Sequence, residues 1–98
     1  MAYTLAVTWR AKPGEEERVR EILEAITPLC RAEPACRAYV AHRSVDDPAL
    51  FFIYEQYDDE VGFRAHAETE HVRRLVLGDA ADRLESRERA VYETLDGR

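Results

Sequence analysis

Large apolar or aromatic side chains alternate with smaller or polar ones at the beginning of the chain. The large set consists of Tyr3, Leu5, Val7 and Trp9. Successive side chains of a strand point to opposite faces, so this period of two predicts a first strand over residues 3–10 with two unlike faces. Lys12, Pro13 and Gly14 then end the pattern with turn-forming residues.

A helical spacing of apolar side chains replaces the alternation after Gly14. The apolar positions are Val19, Ile22, Leu23, Ile26, Leu29 and Cys30. They follow the i, i+3, i+4, i+7 rule and predict a first helix with one buried stripe. Glutamates at residues 15–17 precede the stripe, at the end of a helix where carboxylates are favoured. Pro28 lacks a backbone N–H, so we expect the helix to bend or end near it.

Two further strands are predicted in the middle of the chain. Residues 36–43 follow a turn at residues 33–35 and carry Tyr39 and His42. Residues 50–57 are almost entirely apolar or aromatic, so both faces of this third strand should be buried. Helices can cover one of these faces, and the other needs a different cover.

A second helical region follows the third strand. The acidic residues 58–60 form an N-cap cluster for a short helix through His66. Thr69 can begin another turn or two, to which residues 72–76 contribute apolar side chains. Gly78 is the predicted stop of this region, because glycine commonly ends helices.

The last predicted strand runs from Leu84 to Leu95 and is unusually charged in its first half, residues 85–89. One interpretation is a solvated edge strand. The other is a set of alternating charges that pair across a dimer through strand exchange. The sequence leaves both interpretations open.

The order β-α-β-β-α-β is that of ferredoxin-like domains, in which both helices pack on one face of an antiparallel sheet. We therefore predict an α+β fold formed by a single domain over residues 1–98. A second copy of the sheet, stacked face to face about 10 Å away, would cover the free face of the third strand. The pattern thus predicts a homodimer.

Composition and charge narrow the range of partners. The chain has 98 residues and a formal net charge of −6 without a basic cluster, which disfavours a nucleic acid partner. No apolar stretch approaches the roughly 20 residues of a membrane span, and no secretion signal is present. We therefore expect a cytoplasmic protein with no membrane partner. Cys30 and Cys36 are expected to be free thiols, with Cys30 packed against the core.

The third strand and the segments after it follow the order of a known family. An aromatic-rich strand with a glutamate and an acidic cap spans residues 51–60, and Phe-Arg-Ala-His at residues 63–66 and Thr-Glu-His at residues 69–71 come next. This order resembles the antibiotic biosynthesis monooxygenase (ABM) family, whose pattern is an aromatic-rich strand with Glu, an acidic cap and then Phe-x-x-His. Residues 9–14 and 31–34 resemble further segments of the family. The resemblance covers nearly the whole chain.

The resemblance implies a dimeric α+β barrel and several kinds of activity. Some relatives oxidise polycyclic phenols or quinols with O2 and without metal, flavin or haem, whereas others degrade haem, isomerise small metabolites or have no known activity. Haem-degrading relatives use an Asn on the first strand and a haem-ligating His late in the second helical region. This chain has Val7 and Val76 there, which disfavours haem degradation. Another departure is Ala35-Cys36, where the family commonly has Gly after Glu-Pro.

Glu55 and His66 are the candidate catalytic residues. A carboxylate in the middle of a buried strand has to be paired or to have a raised pKa, so Glu55 is either structural or catalytic. Imidazole titrates near neutral pH, which suits His66 to act as a general base or polar anchor at a pocket. The alternative is a buried His66 that is satisfied by Glu55 and fixes helix to strand.

The histidine spacing argues against a metal site. His66 and His71 are five residues apart, or about 140° round a helix, so they do not form the i, i+4 pair of a helical zinc site. The sequence therefore predicts no metal ligand. His71 and, more weakly, His42 are expected either at the rim of a substrate pocket or simply at the surface.

Four aromatic side chains are candidate pocket walls: Trp9, Tyr54, Tyr57 and Phe63. Each of them also has an interpretation as plain core. Together they suit a flat-walled cavity for a planar aromatic molecule, to which Tyr and Trp add a hydrogen-bonding edge.

The favoured hypothesis is a small monooxygenase that oxidises a phenol, anthrone or quinol with O2 and needs no cofactor. The deprotonated substrate itself then gives an electron to O2, and the protein supplies a base, orientation and exclusion of water. His66 abstracts or anchors the proton, with Glu55 as its orienter. Two alternatives remain open: a non-catalytic dimeric domain that binds a small ligand or acts as an accessory subunit, and an isomerase of a small metabolite.

Overall fold

A four-stranded antiparallel sheet carries the helices on one face in the computed structural model, which describes residues 1–95. The elements are β1 (Tyr3–Ala11), α1 (Glu16–Arg31), β2 (Cys36–Arg43), β3 (Leu50–Tyr57), α2 (Glu60–Ala67), a π-helical segment (Val72–Ala80), α3 (Ala81–Arg83) and β4 (Leu84–Glu93). The strand order is β2-β3-β1-β4, and every neighbouring pair is antiparallel. The predicted α+β ferredoxin-like fold is confirmed. Residues 96–98 of the predicted domain lie outside the described range.

The strand register sorts the side chains onto two faces. Leu5 lies opposite Glu55 of β3 and Val91 of β4, so odd-numbered positions of these three strands share the face that the helices cover. The buried members of this face on β1 and β3 are Leu5, Val7, Trp9, Ala11, Phe51, Ile53, Glu55 and Tyr57. The predicted period of two in β1 therefore defines the core face correctly.

The first helix buries the predicted stripe with one exception. Val19, Ile22, Leu23, Ile26 and Cys30 are buried, but Leu29 is exposed. The helix continues through Pro28 and ends three residues later at Arg31. Pro28 faces solvent while Ile26 and Cys30 on either side of it are fully buried, so packing holds the helix together across the missing N–H.

The second helical region is interrupted once and does not stop where the sequence predicted. Asp59 caps α2 by accepting a hydrogen bond from Gly62 N at 2.8 Å, and the Thr69 hydroxyl accepts one from Val72 N at 3.3 Å. Both predicted caps are therefore present. The predicted stop at Gly78 is wrong, because the helical path passes through it to Arg83. Gly78 does not adopt the positive φ that ends many helices, and among the described residues only Gly14 does.

The face of the sheet away from the helices is open in the single chain. Phe52 is 40 % exposed and Tyr92 is 57 % exposed on this face, with Val40 beside them on β2. No part of residues 1–95 covers these side chains. β4 forms one edge of the sheet and is exposed from Glu85 to Glu93. None of the helices in the described range is long and apolar enough to cross a membrane.

Candidate functional site

A cavity of about 450 Å³ lies between the helix-covered face of the sheet and the second helical region. Strands β1, β2, β3 and β4 form one side of it, and α2 with the π-helical segment forms the other. Its lining includes Trp9, Glu55, Phe63, His66, Arg87 and Arg89. Apolar walls with a few convergent polar groups are typical of small-molecule sites.

His66 projects from α2 into the wall of this cavity and is 8 % exposed. Its Nδ1 lies 3.0 Å from both carboxylate oxygens of Glu33, in the turn between α1 and β2. A carboxylate only accepts hydrogen bonds, so Nδ1 carries the proton and donates it to Glu33. The other nitrogen, Nε2, is then an acceptor and lies 3.5 Å from Glu55 Oε1. Glu33, which the sequence did not single out, is the closer partner of His66.

Glu55 enters the same wall from β3 and is 6 % exposed. Burial raises the pKa of this carboxyl, and the hydrogen bond from Tyr57 partly opposes the rise. The Tyr57 hydroxyl donates to Glu55 Oε1 at 2.6 Å. Glu55 and His66 Nε2 therefore form a pair of neighbouring proton acceptors at the cavity wall.

His71 also reaches Glu33, with Nε2 2.6 Å from Oε2. The predicted separation of about 140° assumed one continuous helix, and this assumption is wrong. The chain leaves α2 after Ala67 and resumes a helical path only after the turn at Glu68 and Thr69. The interruption turns both imidazoles towards the same carboxylate. Together with Cys30 Sγ, these groups offer four potential metal-ligand atoms that all lie within 4.8 Å of one another.

Two arginines of β4 add positive charge at the cavity. Arg87 lies opposite Trp9 and Arg89 opposite Val7, so both are on the helix-covered side of the sheet. The Arg89 guanidinium carbon is 5.2 Å from the centre of the Phe63 ring, a cation–π contact. The sequence interpretations treated this segment as a solvated edge strand or as charges that pair across a dimer, and neither places it at the cavity. Their spacing of two residues indicates that the two arginines share one face of the strand, but only the pairing of β4 with β1 makes this the core face.

The predicted site residues divide into two groups. Trp9, Glu55, Phe63 and His66 line the cavity, whereas Tyr54, Tyr57, His71 and His42 do not. Tyr57 is buried beneath the site, and His71 lies behind Glu33. Tyr54 and His42 are on the open face of the sheet, because they alternate with the core positions of their strands.

One family model matches most of the sequence. The model of the family called antibiotic biosynthesis monooxygenase matches residues 2–76. The chain belongs to the ABM family. The match includes the cavity residues of β1, β3 and α2 but ends before Arg87 and Arg89 of β4. No curated protein matches this ABM protein.

Solved structures match this ABM protein over almost its full length. Protein PA3566 of Pseudomonas aeruginosa is 32 % identical, with a TM-score of 0.89 over 96 % of this chain and 94 % of that one. A Nitrosomonas europaea protein named as a candidate antibiotic biosynthesis monooxygenase is 27 % identical, with a TM-score of 0.90 and coverages of 96 % and 90 %. Rv0793 of Mycobacterium tuberculosis, 21 % identical, shares the fold with a TM-score of 0.89 over 98 % of this chain and 97 % of its own.

Proposed function

We propose that this ABM protein is a monooxygenase that oxidises a small electron-rich aromatic molecule, a phenol, anthrone or quinol, with O2 and without a cofactor. The observation that carries the proposal is the alignment of Glu33, His66 and Glu55, of which His66 and Glu55 line the cavity and Glu33 lies behind His66. Glu33 holds the proton on Nδ1, which leaves Nε2 free to accept one from a substrate. Membership of the ABM family supports the class of reaction.

The reaction begins with proton removal by His66 Nε2. Nδ1 keeps its hydrogen bond to Glu33, which stabilises the imidazolium that forms. Glu55 Oε1 lies 3.5 Å from Nε2, and its raised pKa suits it to receive the proton next. The sequence interpretation made Glu55 the orienter of His66. In the proposed mechanism Glu33 has that role, because it is the closer partner of His66, and Glu55 is a proton acceptor.

The substrate anion then reacts with O2. One electron passes from the anion to O2, and the substrate radical and superoxide combine into a peroxide anion on the substrate carbon. The proton removed in the first step returns to this anion and gives a hydroperoxide. In an anthrone, loss of water from this hydroperoxide converts the original CH2 into a carbonyl. One oxygen atom of O2 enters the product, and the other leaves as water with the two hydrogens of the CH2 group.

The remaining cavity residues bind and stabilise the anion. Trp9 and Phe63 provide flat apolar surfaces for an aromatic ring. Arg87 and Arg89 place two positive charges at the cavity, where they lower the free energy of a phenolate or enolate. The charge of Arg89 is already felt at Glu55, whose pKa it lowers in part.

We further propose that the functional unit is a homodimer formed through the open face of the sheet. Phe52 and Tyr92 are exposed on this face, and a self-complementary apolar surface is best covered by a second copy through a two-fold axis.

Oxygen uptake and quinone formation across a panel of anthrones and quinols test the proposed reaction. We expect uptake with at least one member of the panel, and a rate that falls by roughly 10²–10⁴-fold in His66→Gln, the range for loss of an acid–base group. Arg87→Gln should raise KM for an acidic phenol, whereas Arg73→Gln, at an exposed position outside the cavity, should not. Turnover that persists without O2 would contradict the proposal and favour an isomerase.

A further inference from the structure

A cluster of four side chains of the kinds that can ligate a metal joins the end of α1 to the second helical region. Its members are Cys30 of α1, Glu33 of the following turn, His66 of α2 and His71 just before the π-helical segment. One ligand atom from each lies within 4.8 Å of the other three. We infer that this cluster is a zinc site, formed by one thiolate, one carboxylate and two imidazoles.

The distances suit a small ion at the centre of the cluster. Tetrahedral zinc has bonds of about 2.0–2.3 Å, so its ligand atoms are about 3.3–3.8 Å apart. In the cluster Glu33 Oε2 and His71 Nε2 are 2.6 Å apart, and no two of the ligand atoms are more than 4.8 Å apart. The tetrahedral separations lie between these two limits, so the four side chains are already gathered around a space of the size that the ion needs.

The charges also suit zinc in this partly buried place. Cys30 is fully buried, and the side chains of Glu33 and His71 are 10 % and 17 % exposed. A thiolate and a carboxylate together neutralise Zn²⁺, and the two imidazoles are neutral ligands, so the occupied site has no net charge. Burial raises the pKa of the Cys30 thiol, so this thiol is protonated until a metal replaces the proton. The partial exposure of Glu33 and His71 provides the path for the ion.

The groups around the cluster provide the support that a metal-bound histidine needs. Zinc takes the lone pair at His66 Nδ1, so the ring proton moves to Nε2 and faces Glu55 Oε1 at 3.5 Å. A carboxylate that accepts this proton orients the ring and raises its basicity as a ligand. The Tyr57 hydroxyl, which donates to the same oxygen at 2.6 Å, fixes Glu55 in turn. His71 keeps its own proton on Nδ1, and the Cys30 proton is released to solvent.

Metal binding and the proposed oxidation are separable. With zinc on Nδ1, Nε2 of His66 carries a proton and cannot accept another, so the proposed base chemistry belongs to the metal-free protein. Zinc binding is therefore measured without any substrate.

Equilibrium dialysis of the chelator-stripped protein against Zn²⁺, and the absorption spectrum with Co²⁺, test the site. We expect one ion per chain and a thiolate-to-cobalt charge-transfer band in the near ultraviolet. Cys30→Ser should lose the band, and His71→Gln should bind Zn²⁺ at least about 10-fold more weakly, the smallest loss usual for residues that only support a metal ligand. Cys36→Ser is the matched control and should retain both the band and the affinity, because Cys36 is outside the cluster.

Circular dichroism establishes that each variant is folded, and Glu33→Gln replaces His71→Gln if that variant does not fold. Absence of saturable binding by the wild-type protein overturns the inference. Equal Zn²⁺ affinity in wild type and the folded ligand variant also overturns it, since the ion is then held elsewhere.

Discussion

At the scale of single residues, Glu33 organises the site although it does not line the cavity. One of its oxygens accepts from both His66 and His71, at 3.0 and 2.6 Å. This carboxylate fixes the tautomer of His66 and hence the direction in which Nε2 can accept a proton. Glu33 is therefore a positioning residue in the proposed reaction and a ligand in the inferred zinc site.

Glu33→Gln tests this organising role. The amide leaves one carbonyl oxygen for two N–H donors and turns its own NH2 group towards an imidazole N–H. We expect the free energy of unfolding to fall by about 1.5–3 kcal/mol, the usual contribution of hydrogen bonds to charged groups. Urea denaturation measures the fall, and the exposed Glu68→Gln should change stability by less than about 0.5 kcal/mol. Equal effects of the two substitutions would contradict the role of Glu33.

The raised pKa of Glu55 predicts how stability depends on pH. The folded protein binds a proton at pH values where the unfolded chain, with the ordinary value of 4.5, has already released it. Stability therefore falls as the pH rises from 4.5 towards the raised pKa, and Glu55→Gln removes this loss. Across this range, the free energy of unfolding of Glu55→Gln should increase relative to that of wild type as the pH rises. A constant difference between the two proteins would show that the carboxyl does not titrate abnormally.

Glu55→Gln also separates a catalytic from a structural role. The proposed mechanism predicts lower turnover per folded molecule in this variant. If Glu55→Gln and His66→Ala lose equal stability and turnover per folded molecule is unchanged, the pair is structural only.

At the scale of elements, the position of α2 depends on a close approach at Gly62. A Cβ at this residue would lie 2.6 Å from the Cβ of Ala35, in the turn that leads into β2. Ala35 cannot move aside without its backbone, so this contact sets the distance between the helix that carries His66 and the turn that carries Glu33.

Gly62→Ala is therefore expected to destabilise the protein by about 1–3 kcal/mol, the usual cost of overpacking. Gly78→Ala is the control, because its Cβ meets only the Arg73 carbonyl oxygen at 3.1 Å. Thermal melts of the two variants measure the difference. Gly62→Ala with wild-type stability would mean that α2 can shift without cost.

The sequence predicts the elements better than it predicts their junctions. Alternation in β1 identifies the core face of that strand, because strand periodicity depends on local geometry alone. The apolar run of β3 does not distinguish its two faces, and only its pairing with β1 places Glu55 on the core face. His66 and His71 meet at Glu33 because a short turn at Glu68 and Thr69 interrupts the helix. A helical wheel assumes an unbroken helix and therefore does not predict this contact. Likewise, Arg87 and Arg89 join the cavity only through the pairing of β4 with β1, a contact between residues far apart in the chain.

At the scale of the whole molecule, the open face of the sheet determines the expected assembly. Phe52 is 40 % exposed there, and the long edge strand β4 lies on the same sheet. If a second copy covers this face, the unfolding midpoint rises with protein concentration. Phe52→Lys should then give a folded monomer at low micromolar concentration, whereas Val61→Lys, on the exposed side of α2, should leave the dimer intact.

Analytical ultracentrifugation distinguishes these outcomes. A stable, folded wild-type species of 11.3 kDa at low micromolar concentration would contradict the dimer.

The central claim is that the protein itself transfers one atom of O2 to an aromatic substrate without a cofactor. Mass spectrometry of the product formed by chelator-stripped protein under ¹⁸O2 tests this claim most directly. The mechanism predicts one ¹⁸O atom in each new carbonyl group, with the second atom recovered as water and no hydrogen peroxide released. Product that carries oxygen only from water, or that forms together with stoichiometric hydrogen peroxide, would contradict it.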